Sequence, residues 1–121
     1  MSNAIDTSVP DALLKALHQV ARDRSLTYYS DVARLLGIDT SNQHFAVHVS
    51  RILDEMNRQE FARGRPLLSA LVVSKETMQP GYGYYKCARD LRRYTSKDDD
   101  AMWIAELNAV YDYWMRHADQ D

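Results

Sequence analysis

The chain has 121 residues, 45% of them hydrophobic, a net charge of −2 and a single cysteine. That is enough for one domain with one core, too little cysteine for a disulfide framework, and no apolar run nears the roughly 20 residues a membrane-spanning helix needs. A cytoplasmic setting is expected, because Met1 to Asp6 also lack the basic-then-apolar pattern of a signal peptide.

Taken in chain order, residues 1–7 read as a flexible leader and residues 8–121 as one domain. Ser8 is the expected N-cap of a first helix that runs to about Arg22, with Pro10 and Asp11 in its first turn. Leu13, Leu14, Leu17, Val20 and Ala21 recur on it at helical spacing. Residues 26–29 form a short β-leaning link. Ser30 is expected to cap a second helix over 31–36, stopped by Gly37. A turn over 38–42 then supplies the cap of a third helix, which buries Phe45, Val49, Ile52, Leu53 and Met56 and ends at Gly64 and Pro66.

The run 67–73 is apolar at almost every position and reads as a strand covered on both faces. Residues 75–79 form a polar tip. Pro80-Gly81 suits a type II turn, and Tyr82, Tyr84 and Tyr85 favour a returning strand. Residues 86–94 look helical. Ser96 is the expected cap of a last helix with Asp98, Asp99 and Asp100 in its first turn and an apolar stripe of Trp103, Leu107, Val110, Tyr111 and Trp114. The expected fold is therefore α+β and mostly helical. It has a three-helix, winged-helix-like core with one β-hairpin and two C-terminal helices, an order shared with other small α+β domains.

The block Arg65-Pro66-Leu67-Leu68-Ser69-Ala70-Leu71-Val72-Val73, with Lys75, Thr77 and Pro80-Gly81-Tyr82-Gly83-Tyr84-Tyr85, resembles a recurrent bacterial family of uncharacterised small proteins. The tail residues Trp103, Glu106-Leu107, Val110-Tyr111 and Tyr113-Trp114 are similar to the same family's tail. This resemblance implies no activity. Residues 26–74, from Thr27-Tyr28-Tyr29-Ser30-Asp31-Val32-Ala33 to the Leu-rich run, also look like the winged-helix part of alkylguanine-DNA alkyltransferases and alkyltransferase-like proteins, which bind DNA. That family's Pro-Cys-His-Arg acceptor motif is replaced here by Pro66-Leu67-Leu68-Ser69. Alkyl transfer is excluded, and only shared architecture is implied.

Charge is unevenly distributed. Residues 41–93 carry nine Lys/Arg and five Asp/Glu, whereas residues 94–121 carry two and seven. On the third helix His44, His48, Arg51, Glu55 and Arg58 form one polar stripe, extended by Asn42 and Gln43. Such a stripe suits a recognition helix, in which Asn or Gln reads adenine and Arg reads guanine. It equally suits a solvated helix face. Arg63, Arg65 and Lys75 beside Tyr82, continued by Arg92 and Arg93, combine cations with a stacking surface for phosphates and bases.

Chemistry is sparse. His44 and His48 lack a third ligand for zinc, and no phosphate-cradling glycine loop exists. Cys87 has Lys86 and Arg89 nearby, which lower a thiol pKa, yet a lone cysteine beside aromatics commonly fills core. No cofactor, metal or catalytic residue is expected. The expected function is a non-catalytic DNA-binding module contacting nucleic acid through Gln43, His44, His48, Arg51, Arg63, Arg65, Lys75, Tyr82, Arg92 and Arg93. The alternative is an immunity- or antitoxin-like module that inhibits a partner protein. No membrane partner is expected. Met102, Ile104, Tyr113 and Met115, off the main stripe of the last helix, offer a homodimer seam.

Overall fold

In the computed structural model, which describes residues 8–91 and 97–117, five α-helices surround a 3-10 turn and a two-residue parallel ladder. The order is α1 (Asp11–Arg22), β1 (Thr27–Tyr28), α2 (Tyr29–Leu35), α3 (Phe45–Ala62), the 3-10 turn (Leu68–Leu71), β2 (Val72–Val73), α4 (Tyr82–Asp90) and α5 (Asp99–Arg116). The chain is α+β and mostly helical, and none of its described helices is long and apolar enough to cross a membrane.

The helix ends follow local chemistry. Gly37 at φ +73° and Gly64 at φ +71° take the left-handed conformation that closes α2 and α3. Each helix ends with a 6→1 bond, Ile38 N–H to Ala33 O at 2.8 Å and Arg65 N–H to Glu60 O at 2.9 Å. Asp98 caps α5 by accepting from Ala101 N–H at 3.1 Å, with Asp99 and Asp100 in the first turn. Ser8 and Ser30 do not take the cap positions expected of them. Pro10 holds the cap position of α1 and Tyr28 that of α2, with Ser30 inside the helix. Ser96 lies outside the described residues, as do the leader 1–7 and residues 92–94 of the expected fourth helix.

At the centre is the run 67–73, buried at every position. α3 and α5 pack on its 3-10 turn from two sides, and α1 joins both α5 and that turn. Side chains from two helices pin the run: Leu67 N–H donates to the Glu106 carboxylate at 2.8 Å, Trp103 Nε1–H to Ala70 O at 2.9 Å, Asn57 Nδ2–H to Ser69 Oγ at 2.6 Å, and Ser69 N–H to Asn57 Oδ1 at 3.3 Å. The expected strand is thus mostly a 3-10 turn, because helices rather than strands flank it and side-chain acceptors and donors replace a ladder. Only Val72 and Val73 pair, in parallel, with Thr27 and Tyr28.

The expected β-hairpin does not form. Tyr82–Asp90 is a helix, and β2 pairs with β1 instead of a returning arm. Gly81 is extended at φ −77°, so Pro80-Gly81 is not a type II turn. The physical reason is spacing: Tyr84, Cys87 and Ala88 are buried together on one face of α4, a 3.6-residue repeat that outweighs the β preference of tyrosine.

Candidate interaction surface

α3 has two unlike ends. Near its C-terminus Glu60 is fully buried, 2.6 Å from Arg65 and 3.8 Å from Arg63. The Arg65 guanidinium also lies over the Trp114 ring at 5.5 Å, and His18 stacks on that ring at 3.7 Å. Arg65, expected to meet phosphate, is therefore an internal cation. Its neighbour Arg63 sits beside the same carboxylate. Nothing in the apolar spacing of α3 singles out Glu60; the signal that was present is a carboxylate on the buried stripe followed by two arginines across a turn.

The other end faces solvent. Arg51 and Arg58 are exposed and His48 and Glu55 half-buried on α3, whereas Gln43 and His44, also exposed, lie in the turn before the helix and not on it. His44 N–H donates to Asn42 Oδ1 at 2.8 Å, which fixes the turn into α3. Val47 is 50% exposed beside this stripe.

Alongside runs a furrow between α3 and α4 of about 340 Å³, lined by Ala46, Val47, Ser50, Gly83 and Cys87 and edged by charged groups. It adjoins a second hollow of about 420 Å³ that shares Ala46 and Ser50 and continues to Tyr28, Phe45 and Lys75. Gly81 lines the second hollow and Gly83 the first; Tyr82 between them is 80% exposed, the most exposed large hydrophobic side chain described. Tyr29 holds this corner, its Oη accepting from Gly81 N–H at 2.7 Å. Burial raises the pKa of that phenol.

The cations at the furrow are largely neutralised by neighbours. Arg58 faces Asp54 at 3.7 Å and Lys86 faces Asp90 at 2.9 Å, while Arg89, on α4 outside the furrow's lining, pairs with Asp99. Arg51 makes no ion pair among the described residues, and Lys75 lies over the Tyr28 ring at 5.2 Å. Thus Arg51 and Lys75 line connected hollows, with Tyr82 between their lining residues Gly81 and Gly83, whereas Arg63 lies just past the far end of α3, roughly 18 Å from Arg51 at 1.5 Å per residue, and Arg65 turns back onto Glu60. Arg92 and Arg93 lie outside the described residues.

Cys87 is buried on the furrow floor, and its thiol is pushed up to about 12, first by burial and then by the Asp54 carboxylate. Lys86 and Arg89, the nearby cations that could lower a thiol pKa, are engaged by Asp90 and Asp99. At neutral pH this sulfur is a protonated thiol, not a nucleophile. No cluster of three or more His, Cys, Asp or Glu suited to a metal occurs among the described residues. Comparison with protein-family models, curated proteins and solved structures finds no match to this chain.

Proposed function

We propose that the chain is a non-catalytic interaction module that docks a segment of a partner protein along the α3–α4 furrow. The observation that carries this reading is exposed Val47 on the wall of an apolar-lined furrow whose rim holds charges of both signs, with Tyr82, 80% exposed, next in sequence to the lining residue Gly83. An aromatic anchor with a mixed polar rim is the composition of a protein-binding patch. Phosphate binding, by contrast, rewards unpaired cations. Capture from a lysate by the wild-type chain, by Tyr82→Ser and by Val47→Asp, with quantitative mass spectrometry, tests it. One identified protein lost from both variants, with unchanged circular dichroism, is the expected result. Identical capture by all three chains overturns it.

A second reading, nucleic-acid binding, is favoured by one observation: Gln43 and His44 in the turn that enters α3 and Arg51 on the helix are exposed, and Lys75 lines a hollow with Phe45, Ala46 and Ser50 of its first turns. In that reading α2 and α3 are the helix pair of a winged-helix-like core, with α4 where a wing would be. Anisotropy titration with duplex and single-stranded DNA at low salt tests it, because released counterions then favour association most. Binding weakened by both Arg51→Ala and Lys75→Ala supports it, and absence of binding removes it.

A further inference from the structure

The furrow between α3 and α4 has two unlike halves. Along it Gly83 lies beside Ser50, the Cys87 thiol donates to the Asp54 carboxylate, and Asp90 stands within reach of the charge on Arg58. The half beyond Cys87 is closed on itself. Arg58 faces Asp54 at 3.7 Å and Lys86 faces Asp90 at 2.9 Å, so two cations meet two acids. The half toward the start of α3 is lined by Ala46, Val47, Ser50 and Gly83, none of them charged.

Arg51 stands where the halves meet, exposed and lining the furrow. Two acids follow it at the spacings that make ion pairs on a helix, and it pairs with neither. Asp54, three residues on, faces Arg58, and Glu55, four residues on, accepts from Gln59 Nε2 at 3.4 Å. The charges lining the furrow therefore balance except for this one guanidinium. Val47, one turn before Arg51 on the same face of α3, is 50% exposed. An uncovered aliphatic side chain and an uncompensated cation thus stand roughly 5–6 Å apart at their Cβ atoms.

We propose that the segment docked in the furrow is both acidic and apolar: an aliphatic side chain lies on Val47, and an Asp or Glu close to it pairs with Arg51. This rests on the docking reading above and adds the partner's charge. Guanidinium and carboxylate match fork to fork, so the pair sets the segment's register as well as its sign. Alternate residues of an extended segment, roughly 7 Å apart, present the two groups at a suitable spacing. So do residues one turn apart on a helix. A neutral or basic segment would cover Arg51 without giving it an acceptor, and the acids of the closed half are already engaged.

Selection from a random dodecapeptide library displayed on phage tests the proposal. The baits are the full wild-type chain, Val47→Ser and Arg51→Glu, with circular dichroism to show that all three share one fold. Peptides held by wild type and weakened by Val47→Ser should carry an Asp or Glu within a few residues of Leu, Ile or Val. As synthetic peptides they should bind Arg51→Glu about tenfold more weakly or worse, and replacing their acid by Lys should restore binding to that variant. Val47-dependent peptides that lack an acid, or that bind Arg51→Glu unchanged, overturn the proposal and leave the docking reading standing. The absence of any Val47-dependent peptide overturns both. Duplex DNA that binds wild type and not Arg51→Glu, with no peptide selected, does the same and assigns the guanidinium to phosphate.

Discussion

The two ends of α3 carry similar side chains in opposite circumstances. At the C-terminal end Glu60 and Arg65 are closed in against Trp114, with Arg63 on the outer side of the same carboxylate, and Arg65 keeps only 16% of its side chain exposed. At the N-terminal end Gln43 and His44 stand in solvent in the turn before the helix, and Arg51 stands exposed at the furrow. A charge removed from water must be matched by its own fold, whereas a solvated one is available to a partner. The comparison shows that a count of cations along a sequence overstates the surface they form.

Breaking the closed end should have the largest effect. Glu60→Ala leaves the Arg65 guanidinium facing a buried void and should cost about 3 kcal/mol or more, read by urea denaturation. The double variant Glu60→Leu, Arg65→Met should recover much of that loss, because it removes both partners together.

An intermediate effect is expected from alkali at the furrow floor. The Cys87 thiol rises from an ordinary value of 9.0 to about 12 in the folded chain, so folding favours its protonated form. That contribution is complete below about pH 9 and is lost as pH climbs through about 12. Tyr85, also raised to about 12 by burial and then by Asp100 and Asp99, acts with the same sign. The alkaline decline in the urea midpoint should therefore be shallower in Cys87→Ala but not abolished.

Smaller changes sharpen the contrast. Gly83→Ala places a methyl in ordinary contact with Ser50, 3.8 Å from its Cβ. Replacing this early-helix glycine should add about 0.5 kcal/mol while narrowing the furrow, so stability rises as partner capture falls. Arg63→Met should change stability by less than about 0.5 kcal/mol, since its side chain is 56% exposed and 3.8 Å from the carboxylate. Val47→Ser should be similarly neutral in denaturation and should differ from wild type only in partner capture.

Much of the scaffold was legible because amphipathic spacing and glycine stops are local signals. Val49, Ile52, Leu53 and Met56 on α3, and Trp103, Val110, Tyr111 and Trp114 on α5, are buried as their periodicity requires. Gly37 and Gly64 end helices for reasons contained in the residue itself. The backbone of 67–73 was not legible, since an apolar run says that a segment is buried and not what pairs with it. Its partners, Asn57 and Glu106, lie on two different helices. Tyr82 to Tyr85 misled by composition, although Tyr84, Cys87 and Ala88 already carried the helical repeat. Of the candidate surface, the α3 stripe and Tyr82 were readable one residue at a time. The furrow was not, because it exists only where α4 lies beside α3.

The ladder joining Thr27–Tyr28 to Val72–Val73 has a consequence for how the chain reaches this state. Its two strands are separated by α2, α3 and the 3-10 turn, so pairing them closes a long loop at an entropic cost of about 3 kcal/mol. Two paired residues on each side return too little to offset that cost unaided. The clasp must therefore close late, after α3 has docked on the central turn, and substitutions at Thr27 should accelerate unfolding while leaving the refolding rate nearly unchanged.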